Sequence, residues 1–231
     1  MDSQRPVVVL VSADAEWFAV KEYYPDSAVY LNPFGEFFLR MVEKQSVVFM
    51  HGGWGKISAA ASAGYAITQW DPELVINLGT CGGLQGQIER HVIFMPDRTL
   101  TYDIFEQMGN QQQSIEFYTT TLDHSWLKKP LPLSVESGLL VSGDRDIVPA
   151  DIPSLIQNFH ARAADWESAS IAWVTARKFG RYCLILRGVS DLVSEQGGEA
   201  YNGMSFFENS SRQIMRRLCD SLPAWLACAG Y

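Results

Sequence analysis

Carboxylates and glycines crowd together at a few points of the 231-residue sequence, most of them just after a short apolar run and one between the last two such runs. Glu16 closes the stretch Ser12-Ala13-Asp14-Ala15-Glu16, Glu167 lies in Asp165-Trp166-Glu167-Ser168, and Asp191 follows Ser190 in Arg187-Gly188-Val189-Ser190-Asp191. The glycines gather in His51-Gly52-Gly53-Trp54-Gly55-Lys56, in Gly79-Thr80-Cys81-Gly82-Gly83 and in Ser142-Gly143-Asp144. A carboxylic acid kept protonated by burial can hand its proton to a leaving group, and a carboxylate can draw one from water. It can also grip two hydroxyls through charge-assisted hydrogen bonds. Glycines let backbone N–H groups approach a ligand closely. Each feature has a plainer counterpart. On the residues alone Asp191 reads equally as a cap after a strand, Glu167 as a helix-start acid, Glu16 as a surface acid and the glycines as a turn. No G-x-G-x-x-G and no G-K-[ST] is present, so neither a dinucleotide fingerprint nor a Walker loop is predicted. The four cysteines form no C-x-x-C and the four histidines are scattered, so no metal and no cofactor is expected.

Apolar runs at Val7–Val11, 46–50, 74–78, 139–141 and 182–186, with a sixth at 91–95, predict the strands that carry these clusters. Continuous runs without alternation suit strands covered on both faces. Helices are predicted over Lys56–Trp70, over 166–179 ending at Gly180, and over 206–225 with Arg212, Arg216 and Arg217 outward. In the second, Ile171, Val174 and Phe179 are expected on one side. Strands alternating with helices predict an α/β class with a mixed, largely parallel sheet and ligands at the carboxyl ends of its strands. The polar stretch 102–133 reads as an excursion, a loop or an added hairpin, within a single domain spanning 1–231.

Composition narrows the function. Hydrophobic residues make up 47% and charged ones 19%, enough for a sizeable core. A net charge of −8 gives no broad attraction for nucleic acid or an anionic membrane, which favours a small-molecule partner. The opening MDSQRP has no signal-peptide layout and no run is long enough to span a bilayer. Cysteines Cys81, Cys183, Cys219 and Cys228, read as buried thiols, suit a reducing cytoplasm.

Three blocks, VINLGTCGGL (75–84), DWESASIAWV (165–174) and LRGVSDLV (186–193), together with GGWGKISAA (52–60), resemble the nucleoside phosphorylase/nucleosidase superfamily. Within it the chain looks like the 5′-methylthioadenosine/S-adenosylhomocysteine nucleosidases over residues 7–207. The resemblance implies a three-layer α/β/α phosphorylase/hydrolase-like fold and cleavage of the N-glycosidic bond of an adenosine-type nucleoside. It implies that Asp191 is the general acid toward the base, oriented by Ser190, that Glu16 activates the attacking water and that Glu167 holds the ribose diol. Trp166, Thr80, Cys81, Gly82 and Phe206 would lie near the sugar or base, with Ile147 at a base-contacting position. Two departures stand out: Asp165 where the family has the first Glu of E-x-E, and Asp146 where an aromatic residue stacks on adenine. Family members are usually oligomers, often dimers, and the segment after Tyr102 is the candidate for closing a neighbour's pocket.

Phosphorylases of this superfamily hold phosphate with arginine at the position of Asn77, and none follows the first strand, where Glu16 stands. Both differences favour water as nucleophile. Arg187 and Lys56 keep a purine nucleoside phosphorylase open, although each is also a natural capping charge. A nucleoside-binding protein without catalysis is the reading from another class.

Overall fold

The computed structural model describes residues 5–231, with residues 201, 202 and 204 described by backbone alone. Part of the opening MDSQRP, residues 1–4, lies outside the described residues. In chain order the chain forms β1 (Val7–Val11), α1 (Asp14–Tyr23), β2 (Tyr30–Asn32), β3 (Gly35–Val42), β4 (Gln45–His51) and α2 (Lys56–Trp70). There follow β5 (Leu74–Leu84), β6 (Ile93–Phe94), β7 (Arg98–Thr101), α3 (Gln111–Phe117), β8 (Thr119–Thr121), β9 (Val135–Glu136) and β10 (Leu139–Ser142). The remainder is α4 (Ile152–Gln157), β11 (Ala161–Asp165), α5 (Ser168–Ala172), β12 (Tyr182–Ser194), β13 (Gly197–Gly198) and α6 (Met204–Ala229).

The strands share one mixed sheet in the order β2-β3-β4-β1-β5-β11-β10-β7-β8, with β12 joined to β5 and β6 off that path. β1 runs parallel to β4 and β5, β5 parallel to β12, and β10 parallel to β7 and β11. The unbroken apolar run of β1 has its explanation in two covered faces. Val7, Val9 and Val11 meet α1 and the Met215, Leu218, Leu222 and Trp225 face of α6, whereas Val8 and Leu10 meet Ala59, Ala63 and Ile67 of α2 and Ile171 of α5. Side chains alternate along a strand, so a run that feeds two cores must be apolar throughout.

Lys56–Trp70 is helical as the sequence predicts, and Arg212, Arg216 and Arg217 are exposed along α6. Several expectations are corrected. The 91–95 run shrinks to Ile93–Phe94, because His91 takes a left-handed φ of 64° that ends extended pairing. The helix expected from 166 starts at Ser168 and widens into a π-turn at Trp173–Lys178. That wider turn shifts the phase, so Ile171 and Val174 stay buried but Phe179 is exposed. Helix α6 continues past 225, through Pro223, to Ala229. The 102–133 excursion holds α3 and then returns as β8, the antiparallel neighbour of β7 at the sheet edge. Strands β2 and β3 were not anticipated; the Asn-Pro-Phe-Gly turn between them was the available signal, with Asn32 Oδ1 accepting from Phe34 N–H at 2.7 Å.

Candidate active site

Two strands do most of the positioning. β5 does not end at Leu78: it runs on through Gly79–Leu84 because β12 pairs with it along its whole length, Thr80 beside Gly188 and Gly82 beside Asp191. The glycines read as a turn therefore lie within a strand, where they allow close approach. A Cβ on Gly79 would stand 2.0 Å from Arg187 Nη1 and 2.9 Å from the Glu16 carboxylate. The β12 register slips between Val189 and Asp191, leaving Ser190 as an extra residue. In a regular strand neighbours face opposite ways; a bulge re-aims them, and here Ser190 and Asp191 both line one cavity.

That cavity, of about 800 Å³, lies at the carboxyl ends of the strands and is lined by Glu16, Thr80, Cys81, Gly82, Ile147, Trp166, Glu167, Ser190 and Asp191. Phe206 is the one residue of the sequence-derived set that is not there. It is 38% exposed, and Phe207 lines the cavity instead. Near a helix start a shift of one residue turns a side chain by roughly 100°. Trp54 and Tyr102 also line the cavity, and the Trp54 and Trp166 rings lie 5.9 Å apart.

Glu16 comes from the first turn of α1, is 2% exposed, and accepts from the Thr80 N–H at 2.6 Å and the Thr80 hydroxyl at 2.8 Å. Glu167 precedes α5 and accepts from the Gly55 N–H at 3.0 Å, so the GGWG loop holds it from outside. Burial first, then the charge of Asp165, pushes its pKa up to about 8, against the opposing pull of Arg187 and the Gly55 N–H. Burial likewise raises Asp191, while the Ser190 hydroxyl, 2.6 Å from Oδ1, and the Ala200 N–H pull the other way. A carboxyl whose pKa is raised by burial is the better suited to donating a proton. Cys81 is buried, and burial drives its thiol well above the usual range, so it is no nucleophile.

Arg187 is the residue that sequence reasoning undervalued. It is not a cap: at 1% exposure it sits among carboxylates, 3.0 Å from Asp165, 3.8 Å from Glu167 and 3.9 Å from Glu16. It also donates to Asn77 Oδ1 at 2.8 Å and Ser168 Oγ at 2.9 Å. Burial alone would lower its pKa, yet Asp165, Glu16 and Glu167 together raise it. The signal was a charge inside the apolar run LILRGVSD, since buried charges are paired. Asp165, the departure from E-x-E, is engaged by this arginine, by Ser142 Oγ at 2.5 Å and by the Ser168 N–H at 3.1 Å at the head of α5. Lys56 is not a free cation either. Its ammonium pairs with Asp103 and lies 3.8 Å from Asp144, whose Oδ1 accepts the Lys56 N–H at 2.7 Å. Arg145 pairs with Asp151 at 2.5 Å and not with Asp146. Among the described residues no His, Cys, Asp or Glu group of three or more is arranged to hold a metal ion, and no helix is long and apolar enough to cross a membrane.

The model of the phosphorylase superfamily matches residues 7–224. A 5′-methylthioadenosine/S-adenosylhomocysteine nucleosidase of Marinomonas sp. is 27% identical, covering 92% of this chain and 98% of its own. The nucleosidase of that name from Staphylococcus epidermidis is 30% identical, covering 81% and 87%. In fold the chain is similar to the crystal structure of the Helicobacter pylori 5′-methylthioadenosine/S-adenosylhomocysteine nucleosidase, with a TM-score of 0.80 at 18% identity over 96% of this chain and 99% of that one. A family match along almost the whole chain, a shared three-layer mixed sheet, and strand-end acids gathered in one cavity converge: the chain belongs to the phosphorylase superfamily and stands there with the nucleosidases.

Proposed function

We propose that the protein hydrolyses the N-glycosidic bond of an adenosine-type nucleoside of the 5′-methylthioadenosine/S-adenosylhomocysteine kind, releasing free base and sugar. The observation that carries this reading is that Glu16, Glu167 and Asp191, from three separate parts of the chain, line one cavity. Asp191 donates a proton to the departing purine, held for that task by Ser190. Loss of the base leaves positive charge on the sugar, and Glu167 grips its hydroxyls from the side that Gly55 secures. Glu16 accepts the proton of the incoming water, with Thr80 fixing its carboxylate. Asp146, Trp54 and Trp166 face the same space. Water fits as nucleophile because the cations that kept phosphorolysis open, Arg187 and Lys56, are both engaged by carboxylates.

The test is a panel of purine nucleosides differing at the 5′ position, assayed for free base with and without phosphate. Release at the same rate in phosphate-free buffer supports hydrolysis. Strict phosphate dependence would make the protein a phosphorylase, and binding without turnover would make it a nucleoside-binding protein.

The single sheet that runs through both halves supports reading residues 1–231 as one domain. A homodimer fits the exposed Phe105 (77%) and Met108 (100%), which follow the cavity-lining Tyr102 in the chain and offer apolar side chains to a partner. Four buried, free cysteines suit work in the cytoplasm.

A further inference from the structure

After β12 the chain folds back on itself instead of leaving the sheet. Gly197 and Gly198 pair with Ser194 and Val193. The next residue, Glu199, turns its carboxylate onto the strand: Oε2 accepts the Leu192 N–H at 2.9 Å and lies 3.6 Å from Arg90 Nη1. Ala200 then aims its N–H at Asp191 Oδ2, 3.4 Å away. The two oxygens of Asp191 thus have separate keepers, the Ser190 hydroxyl on Oδ1 and this turn on Oδ2.

We propose that Glu199 is a positioning residue for Asp191, its clasp on the Leu192 N–H and on Arg90 fixing the turn that brings the Ala200 N–H to Oδ2. The inference rests on Asp191 acting as the proton donor. Glu199 and Arg90 are 43% and 44% exposed, so their ion pair adds little to stability and their placement needs another reason. Among the described residues, Asp14, Glu16, Arg145, Asp146, Asp165 and Glu167 share the cavity with Asp191, and other charged or titratable groups stand closer to its carboxyl. Glu199 faces it from the turn, Arg90 from the segment before β6 and Cys81 from β5, while Glu208 of α6 lines the same cavity. Glu199 favours the protonated carboxyl and Arg90 the ionised one, so the pair acts on the donor with opposite sign.

The experiment is base release against pH for the parent and for Glu199→Gln, Glu199→Ala and Arg90→Gln. Alongside it, carbon-13 NMR of labelled aspartate follows Asp191 directly, its resonance identified by loss in Asp191→Asn. Gln keeps an acceptor for the Leu192 N–H but loses the charge. Its kcat at the acid end should match the parent, with the alkaline limb and the Asp191 titration displaced downward by about half a pH unit, roughly threefold in rate on that limb. Glu199→Ala loses the clasp as well, so kcat should fall about tenfold at every pH while KM stays within about twofold, a loss confined to the transition state. Arg90→Gln should displace the limb upward. Parental kcat in Glu199→Ala with a parental limb in Glu199→Gln overturns the proposal. A parent with no turnover, or an undiminished Asp191→Asn, overturns the nucleosidase reading instead; the NMR titration then decides alone, and an unmoved Asp191 resonance in Glu199→Gln overturns the role of Glu199.

Discussion

At the scale of single residues, Asp191→Asn keeps the shape and the Ser190 contact but has no proton of the right acidity to give. Base release should drop by roughly 10²–10⁴-fold, the range of a lost general acid, with a circular-dichroism spectrum like the parent's. Glu16→Gln should lower kcat while leaving KM nearly unchanged; a change in KM alone would make Glu16 a binding group. Glu167 predicts a pH dependence of folding. Its carboxyl rises from 4.5 in the unfolded chain to about 8 in the folded one, so between those values the folded protein holds a proton that the unfolded chain has lost. The stabilisation is complete below pH 4.5 and disappears as pH climbs through 8. Calorimetry of the ligand-free protein should show Tm falling across that window, more steeply than in Glu167→Gln. Glu16 and Asp191 were legible because each lies beyond an apolar run, where ligands bind in α/β sheets, and Glu167 because its DWESASIAWV block carries the family resemblance. Arg187 was not, because its partners come from three distant stretches and only folding reveals that its charge is matched. Phe206 was misplaced for a different reason: the aromatic pair Phe206-Phe207 does not say where α6 begins its turn.

Among elements, the β5–β12 pair and the helices on it carry the geometry. Gly188 leaves no space for a side chain: a Cβ there would stand 2.3 Å from Ile214 Cγ2 of α6. Gly188→Ala must push α6 off the sheet and should cost about 1–3 kcal/mol in denaturant unfolding, the usual penalty of overpacking. Gly79→Ala presses on Arg187 and Glu16 instead, so it should abolish turnover before it lowers stability much. Where local pattern suffices, the elements were readable. Lys56–Trp70 follows a glycine at φ 86°, is rich in alanine and is flanked by strands, and its bounds agree with the sequence reading. Where pairing decides, they were not. The extension of β5 through five residues of small or polar character depends on β12 beside it, and the β12 bulge has no signature of its own. The π-turn at Trp173–Lys178 is equally silent in sequence.

For the whole molecule, a sheet covered on both faces was foreseeable from apolar runs too continuous for a half-exposed sheet, and the two cores on either side of β1 bear that reasoning out. The edge hairpin of β2 and β3 was not, since short strands with mixed burial blend into loop. Assembly belongs to this scale as well. If Phe105 and Met108 face a second copy, sedimentation should give twice the chain mass for the parent and a smaller species for a Met108→Asp variant.

The buried arginine has a consequence for how the protein is made. Arg187 meets Thr80 and Asn77 across 107 and 110 residues of chain. During translation Glu16, Asp165 and Glu167 all leave the ribosome before the guanidinium that lies among them. A nascent chain stalled short of β12 carries those acids without their arginine and lacks the strand that pairs with β5 along its length. Competence therefore arrives late and all at once, when the arginine strand docks, and partial products are left open to proteolysis instead of being weakly active.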